Sequence, residues 1–227
     1  MKISCMGTDS ISSAGSVLRR FYICSNQGMA RYFTTKNISL DILRRHIERI
    51  VTLTDEEFSL ISSHFTAQQF QKKQFVFRPQ ERVPFVYFIL SGLTVLVHLD
   101  DNGQEHILSF AMEDWWETDL GAFLHQRHAT MGLYCLEDTA MLKLSLDGYN
   151  TICSRVPKME RFFLAKANGG HIASQQRILS FQMVDAKLRY QWFLERYPFL
   201  VQRISKTVLA SYLGVSRETL SRLSRSR

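Results

Sequence analysis

Seven residues near the C-terminus, Ser216 to Arg222 (SRETLSR), concentrate side chains that hydrogen-bond through planar or hydroxyl groups. Read as a helix, the spacing places Arg217, Glu218, Ser221 and Arg222 on the outer side and turns Leu220 and Leu223 inward. An arginine fork fits the two acceptors on a guanine edge, and a glutamate accepts from the amino group of cytosine. Ser216 and Thr219 suit phosphate oxygens at a helix N-terminus, and Ser205, Lys206 and Arg225 lie where they could add backbone contacts. The chemistry is that of a surface reading a nucleic acid. A Glu218–Arg222 surface pair, worth roughly 0.3–0.5 kcal/mol, would account for those two residues but not for what surrounds them.

The surroundings supply the frame. Ser205 is an N-cap for a helix carrying Val208, Leu209 and Leu213, and Gly214 is placed to end it in a left-handed conformation. Val215 alone separates Gly214 from Ser216, the N-cap of the next helix, and Ala210 is small where two helices would cross. Two short helices joined by so short a Gly-containing turn form a helix-turn-helix. From Lys187 to Arg227 there are nine basic side chains against Glu195 and Glu218, so this segment holds the chain's entire net charge of +7. A basic excess confined to one end is the electrostatic signature of a polyanion-binding module on a neutral body.

Upstream, three textures must position that module. Residues 38–64 place Ile42, Leu43, His46, Ile47 and Ile50 at helical spacing, with Thr54 as the N-cap of a second helix. From Phe65 to Leu146 the chain is rich in Val, Ile, Phe and Tyr and broken by Pro79, Pro84, Gly92 and an Asp101-Asn102-Gly103 hairpin signal, which predicts antiparallel strands. After Asp147 a helical pattern returns for nearly thirty residues. Its apolar positions exceed what one small roll can cover, so the helix is expected to pair with its own copy through Phe162, Phe163, Ile172, Ile178 and Leu179. Gly169-Gly170 in its middle predicts either a kink or a close approach of two backbones.

Several classes are disfavoured. No apolar run is long enough to span a bilayer. Cys5, Cys24, Cys135 and Cys153 have neither zinc nor cluster spacing, and a reducing cytoplasm is expected. A haem would need an axial ligand such as His98, His106 or His171, and a lone histidine is no argument for one. No nucleophile–base pair, phosphate loop or metal spacing suggests an enzyme. Residues 1–37 read as a poorly ordered or mis-assigned extension, with Met29 an alternative start and a targeting role the lesser reading.

With these residues in hand, the chain resembles the Crp/Fnr family of transcriptional regulators over residues 38 to 225. The resemblance rests on FVYFILSGLTVLVHLDDNGQEHILSF, EDWWETDLGAF and ISKTVLASYLGVSRETLSRL, and the EDWW form is similar to a short bacterial subgroup common in Bacteroidetes. It implies an α+β chain: an antiparallel, cyclic-nucleotide-binding-like β-roll (a double-stranded β-helix) with flanking helices over 38–156, a dimerisation helix over 157–183, and a helix-turn-helix over 184–227. It implies further that Arg217, Glu218 and Arg222 read bases of a near-palindromic double-stranded DNA site, that the chain is a homodimer in the cytoplasm without a membrane partner, and that RNA polymerase is a candidate partner. The β wing usual after the recognition helix is not expected, since the sequence stops at Arg227.

The effector region departs from the family pattern. Where a cyclic-AMP-binding relative has Gly-Glu and then Arg-Ser, this chain has Glu117-Thr118-Asp119-Leu120 and Ala129-Thr130. The arginine for the cyclic phosphate and the glutamate for the ribose are unmatched, and Arg127 lies out of register. Trp115, Trp116, Glu117, Asp119, Arg127 and Thr130 are the candidate pocket residues, no cofactor is expected, and the effector is undefined. The competing function is a small-ligand sensor whose shortened helix-turn-helix does not bind DNA specifically.

Overall fold

A computed structural model describes residues 30–183 and 185–225, and the chain divides into two units, Met1–Asn37 and Ile38–Arg227, of which the second is described here. The expectations for residues 1–29, Cys5 and Cys24 among them, lie outside the described residues, as does Arg227. Two helices, α1 (Ala30–Glu48) and α2 (Asp55–Ser63), come first. Thr54 starts α2 with a full capping box: its hydroxyl accepts from the Glu57 N–H while the Glu57 carboxylate accepts from the Thr54 N–H.

Eight strands follow: β1 (Phe65–Phe70), β2 (Phe75–Phe77), β3 (Phe85–Ser91), β4 (Leu93–Leu99), β5 (Glu105–Met112), β6 (Trp116–Glu117), β7 (Gly132–Cys135) and β8 (Thr139–Ser145), with helix α3 (Leu120–His125) between β6 and β7. They form two antiparallel sheets, ordered β1-β8-β3-β6 and β2-β7-β4-β5. The turn from β3 to β4 needs Gly92: its φ is +100°, and a Cβ there would lie 2.5 Å from Thr139 Oγ1. The β4–β5 hairpin is built on Asp100, whose carboxylate accepts from the Asn102 and Gln104 N–H groups and meets His106 Nε2 at 2.8 Å. His98 lies within 3.3 Å of the Thr130 carbonyl.

The remaining helices are α4 (Leu146–Arg155), α5 (Lys158–Met183), α6 (Ala186–Arg196), α7 (Pro198–Val201), α8 (Lys206–Leu213) and α9 (Arg217–Arg225). Pro198 both stops α6 and opens α7, since it cannot continue a helix but fits its first turn.

The order of layers follows from the central strands, whose side chains are buried on both faces. Tyr87, Ile89, Leu96, Leu133 and Met141 fill the space between the sheets. Phe88, Leu90, Leu142 and Leu144 point out of the first sheet and pack on α1, α2, α4 and the start of α5 through Leu43, Ile47, Ile61, Ile152, Met159 and Phe162. Leu93, Val95, Val97, Ile107 and Phe110 point out of the second sheet and share a core with α6 to α9.

One expectation needs correction. Phe162, assigned to the pairing face of the long helix, is fully buried against the chain's own first sheet, and Phe163 packs on Tyr149 at 4.4 Å and Trp116 at 5.9 Å. The periodicity that suggested a partner is spent on the roll over the first turns of α5. Beyond them Ile172, Ile178 and Leu179 are exposed. The helix runs unbroken through Gly169 and Gly170, and beyond the helix's own neighbouring backbone nothing lies within 4 Å of where a Cβ would stand at either.

His46 is the polar exception in the helix-facing core. It is 1% exposed, ringed by Phe88, Trp116 and Phe162, and its Nε2 accepts from Trp116 Nε1 at 3.1 Å. Nδ1 has no hydrogen-bond partner, since Asp114 stands 3.8 Å away. Burial, with Lys166 and Arg49 adding to it, pushes the imidazole down to about 3, so the ring is neutral and the Asp114 approach is not an ion pair. Below pH 6.5 the unfolded chain takes up a proton that the folded chain refuses until about 3, so stability should fall on acidification by about 1.4 kcal/mol per pH unit from this residue. Urea unfolding of His46→Phe between about pH 6 and pH 4 should lack that share of the slope.

Candidate nucleic-acid interface and the roll that carries it

Helices α8 and α9 form a helix-turn-helix in which each local feature has a physical cause. Ser205 caps α8 by accepting from the Val208 N–H, and Ser216 caps α9 by accepting from the Thr219 N–H. Gly214 ends α8 at φ +65°, and its Cα side lies against Phe181 of α5, where a Cβ would come within 2.8 Å of the ring. Leu209, Ala210, Leu213 and Leu220 are buried, and Leu223 packs beside them.

On the outer side Arg217, Glu218, Arg222 and Arg225 are exposed, Ser221 is half-buried, and Lys206 is exposed at the start of α8. The Glu218 carboxyl is held below its ordinary range by its own backbone N–H and the Ser216 hydroxyl, with Arg217 assisting, so it is an acceptor at neutral pH. The hydroxyls of Ser216 and Thr219 bond to one another at 3.1 Å, and Arg222 reaches Thr219 Oγ1 at 3.3 Å. The oxygens of Ser205 and Ser216, expected to meet phosphate, are therefore engaged in capping.

Three arginines fix this module to the rest of the chain. Arg177 of α5 donates from one nitrogen to the carbonyls of Ile107 on β5 and Tyr212 on α8, and its guanidinium lies 3.8 Å over the Tyr212 ring. Arg189 of α6 donates to the Leu213 carbonyl. The two side chains thus satisfy carbonyls that the last turn of α8 leaves open, at the negative end of its dipole. Arg203, in the segment before α8, donates to Glu137 at 2.7 and 2.9 Å, to Glu113 at 2.8 and 3.1 Å, and to the Gly92 carbonyl at 2.9 Å. Glu137 first and then Glu113 hold it firmly charged. The basic excess is thus not all displayed: Arg203 is neutralised by the roll, while Lys206 on α8 and Arg217, Arg222 and Arg225 on α9 are exposed, as are Lys187 and Arg196 on α6.

Sequence reasoning did not find this attachment, although β4 carried its signal. An antiparallel strand with one wet face should alternate, and Leu93–Val97 does not.

The candidate effector residues separate. Trp116 points to the helix side, on His46, Phe65 and Phe88, and not into the space between the sheets. Trp115 packs near Tyr197, and Arg127 is exposed. Asp119 and Thr130 do come together: one carboxylate oxygen caps α3 by accepting from the Ala122 N–H, and the other accepts from the Thr130 N–H and hydroxyl at 2.9 and 3.1 Å. Glu117 accepts from the Ser109 hydroxyl at 2.6 Å and from the Thr118 N–H. Ser109 was not foreseen, because only the pairing of the two sheets brings β5 to β6. Burial pushes Glu117 up to about 7 in spite of these hydrogen bonds. Burial also raises the thiols of Cys135 and Cys153. Among the described residues no cluster of three or more His, Cys, Asp or Glu is placed to hold a metal ion, and no helix is long and apolar enough to cross a membrane.

Comparison with known proteins agrees with this arrangement. Residues 67–156 match the family described as cyclic nucleotide-binding domain. The anaerobic regulatory protein of Haemophilus influenzae is 24% identical over 186 residues, covering 76% of this chain and 71% of the relative. Together these matches support a regulator of the Crp/Fnr type. Among solved structures, the c-di-GMP-responsive global regulator CLP of Xanthomonas campestris shares the fold with a TM-score of 0.62 at 16% identity, over 76% of this chain and 91% of that one. FixK2 of Bradyrhizobium japonicum does so with a TM-score of 0.64 at 16% identity, over 71% and 83%. The similarity supports a transcriptional regulator, and the chain shows the β-roll, long helix and C-terminal helices of that fold.

Two outcomes are expected. Arg203→Ala leaves Glu113 and Glu137 without their shared cation and should lower the unfolding free energy by roughly 2 kcal/mol in urea, with Arg203→Lys recovering only part, since an ammonium cannot span both carboxylates and a carbonyl. For Glu117 the unfolded chain loses its proton near 4.5 and the folded chain near 7, so its contribution to stability declines as pH rises between them. Glu117→Gln should therefore gain stability relative to the parent on going from about pH 5 to about pH 8, by on the order of 2–3 kcal/mol in denaturation curves.

Proposed function

We propose that the protein is a homodimeric regulator that reads a near-palindromic DNA site through α9, with a roll that does not take a cyclic nucleotide in the family's manner. The observation that carries the reading is the outer face of α9: Arg217, Glu218, Ser221 and Arg222 stand on a helix whose opposite side is buried and whose partner helix is capped from α5 and α6. A helix so held can enter a major groove as a rigid body, with its N-terminal half at the base edges. Two copies would present it to grooves about 34 Å apart, on half-sites one turn of DNA apart.

The dimer is supported by the length of α5 beyond the roll and by its exposed Leu164, Ile172, Ile178 and Leu179. The altered pocket is supported by Asp119. Its carboxylate already occupies the N-terminus of α3 and the Thr130 N–H, so an incoming phosphate would meet a negative charge where the family's mechanism needs a positive one.

Selection of bound duplexes from a random DNA pool, without added nucleotide, should enrich a two-fold symmetric motif. On that motif Arg222→Ala should cost about 1–3 kcal/mol of binding and relax base preference at one position of each half-site. An equal loss on every sequence would assign Arg222 to phosphate, and no enrichment at all would favour a sensor that does not read DNA specifically.

A further inference from the structure

Helix α5 has two faces with opposite characters. Between Leu164 and Gln182 its charged residues are Lys166 and Arg177, and both turn toward the chain's own body, Arg177 onto β5 and α8. The outward face over the same stretch has no Asp, Glu, Lys or Arg. A helix face left to water ordinarily carries charge. Along the middle of this one run Asn168, Gln175 and Gln182, each exposed and each seven residues from the next. Seven residues return a side chain to nearly the same side of a helix, with a drift of about 20°. On one flank lie Leu164, His171 and Ile178, and on the other Ile172 and Leu179, again seven apart. Leu164 is 61%, Ile172 52%, Ile178 58% and Leu179 45% exposed, a run of large apolar side chains along one face that a finished surface would not favour.

A row of amides flanked by Leu164, His171 and Ile178 on one side and by Ile172 and Leu179 on the other selects its occupant by chemistry. Each amide carries both an acceptor and two donors, so it can pair with an identical amide across a two-fold axis, and no fixed charge on this face calls for a partner of opposite sign. Leu164 and Ile178 on one side, and Ile172 and Leu179 on the other, would exclude water from those pairs. Amides within a helical seam also penalise every register in which they meet leucine or isoleucine instead, so they specify alignment at some cost in affinity.

We propose that Asn168, Gln175 and Gln182 each face their own counterpart in a second copy of this chain, in parallel and in register, and that this amide row selects the partner and its alignment. The proposal rests on the homodimer reading above and goes beyond it by assigning the residues that decide register. It also accounts for the placement of two α9 helices at the same end of the pair, which an antiparallel seam would forbid. An antiparallel pairing centred on Gln175 would set Asn168 against Gln182, so position 168 separates the two.

The test uses the full chain and sedimentation equilibrium. Asn168→Glu and Asn168→Lys should each raise the dimer dissociation constant at least about ten-fold, because like charges then face each other, and an equal mixture of the two should restore association. That restoration also shows that both variants are folded. A dimeric parent with neither variant weakened, or with both weakened and no recovery on mixing, would overturn the register assignment and leave the dimer standing. A monomeric parent at micromolar concentration would overturn the dimer reading itself, and this proposal with it.

Discussion

The burial of both faces of β3 and β4 governs the architecture. These two strands are joined through Gly92 and lie in different sheets, so the side chains they turn toward each other make the interior of the roll. The side chains they turn away are equally apolar: Phe88 and Leu90 on one side, Leu93, Val95 and Val97 on the other. Leaving either set in water would forfeit about 1.5–3 kcal/mol per large side chain. Both outer faces are therefore covered, one by α1, α2, α4 and the root of α5, the other by α6 to α9. The helix-turn-helix is thus the fourth layer of the molecule, not an appendage to it.

Once that layer is in place, polar groups at its boundary need partners, and arginine supplies them. The last carbonyls of α8 are met by Arg177 and Arg189, and the carboxylates of Glu113 and Glu137 by Arg203. The guanidinium suits this role because one planar group can bridge two chain segments at once. As a result the orientation of α9 is set by α5, α6 and the β4–β5 hairpin together. A disturbance of β5, on which both Ile107 and Ser109 lie, has a direct mechanical route to α8.

In the roll the carboxylate of Asp119 is engaged by the N-terminus of α3 and by Thr130. Trp116, which might have lined a pocket, instead joins His46 on the helix side and helps tie the first sheet to α1. The scaffold on which these contacts sit is shared with CLP and FixK2.

Much of this was legible in the residues. The helix-turn-helix could be read from Ser205, Ala210, Gly214 and Ser216, because caps, left-handed ends and close crossings are local constraints that only certain side chains meet. The strands and the hairpin at Asp100 to Gly103 were legible for the same reason. What tertiary structure alone decided were the long-range pairings: Phe162 with the roll and not with a partner, Trp116 with His46, Ser109 with Glu117, Arg203 with Glu113 and Glu137. Periodicity shows that a face must be covered but not by what, since an apolar side chain carries no label for its partner. Which surfaces meet is settled only when the whole chain packs, because burial is non-directional and the ion pairs form between groups that folding has already brought close.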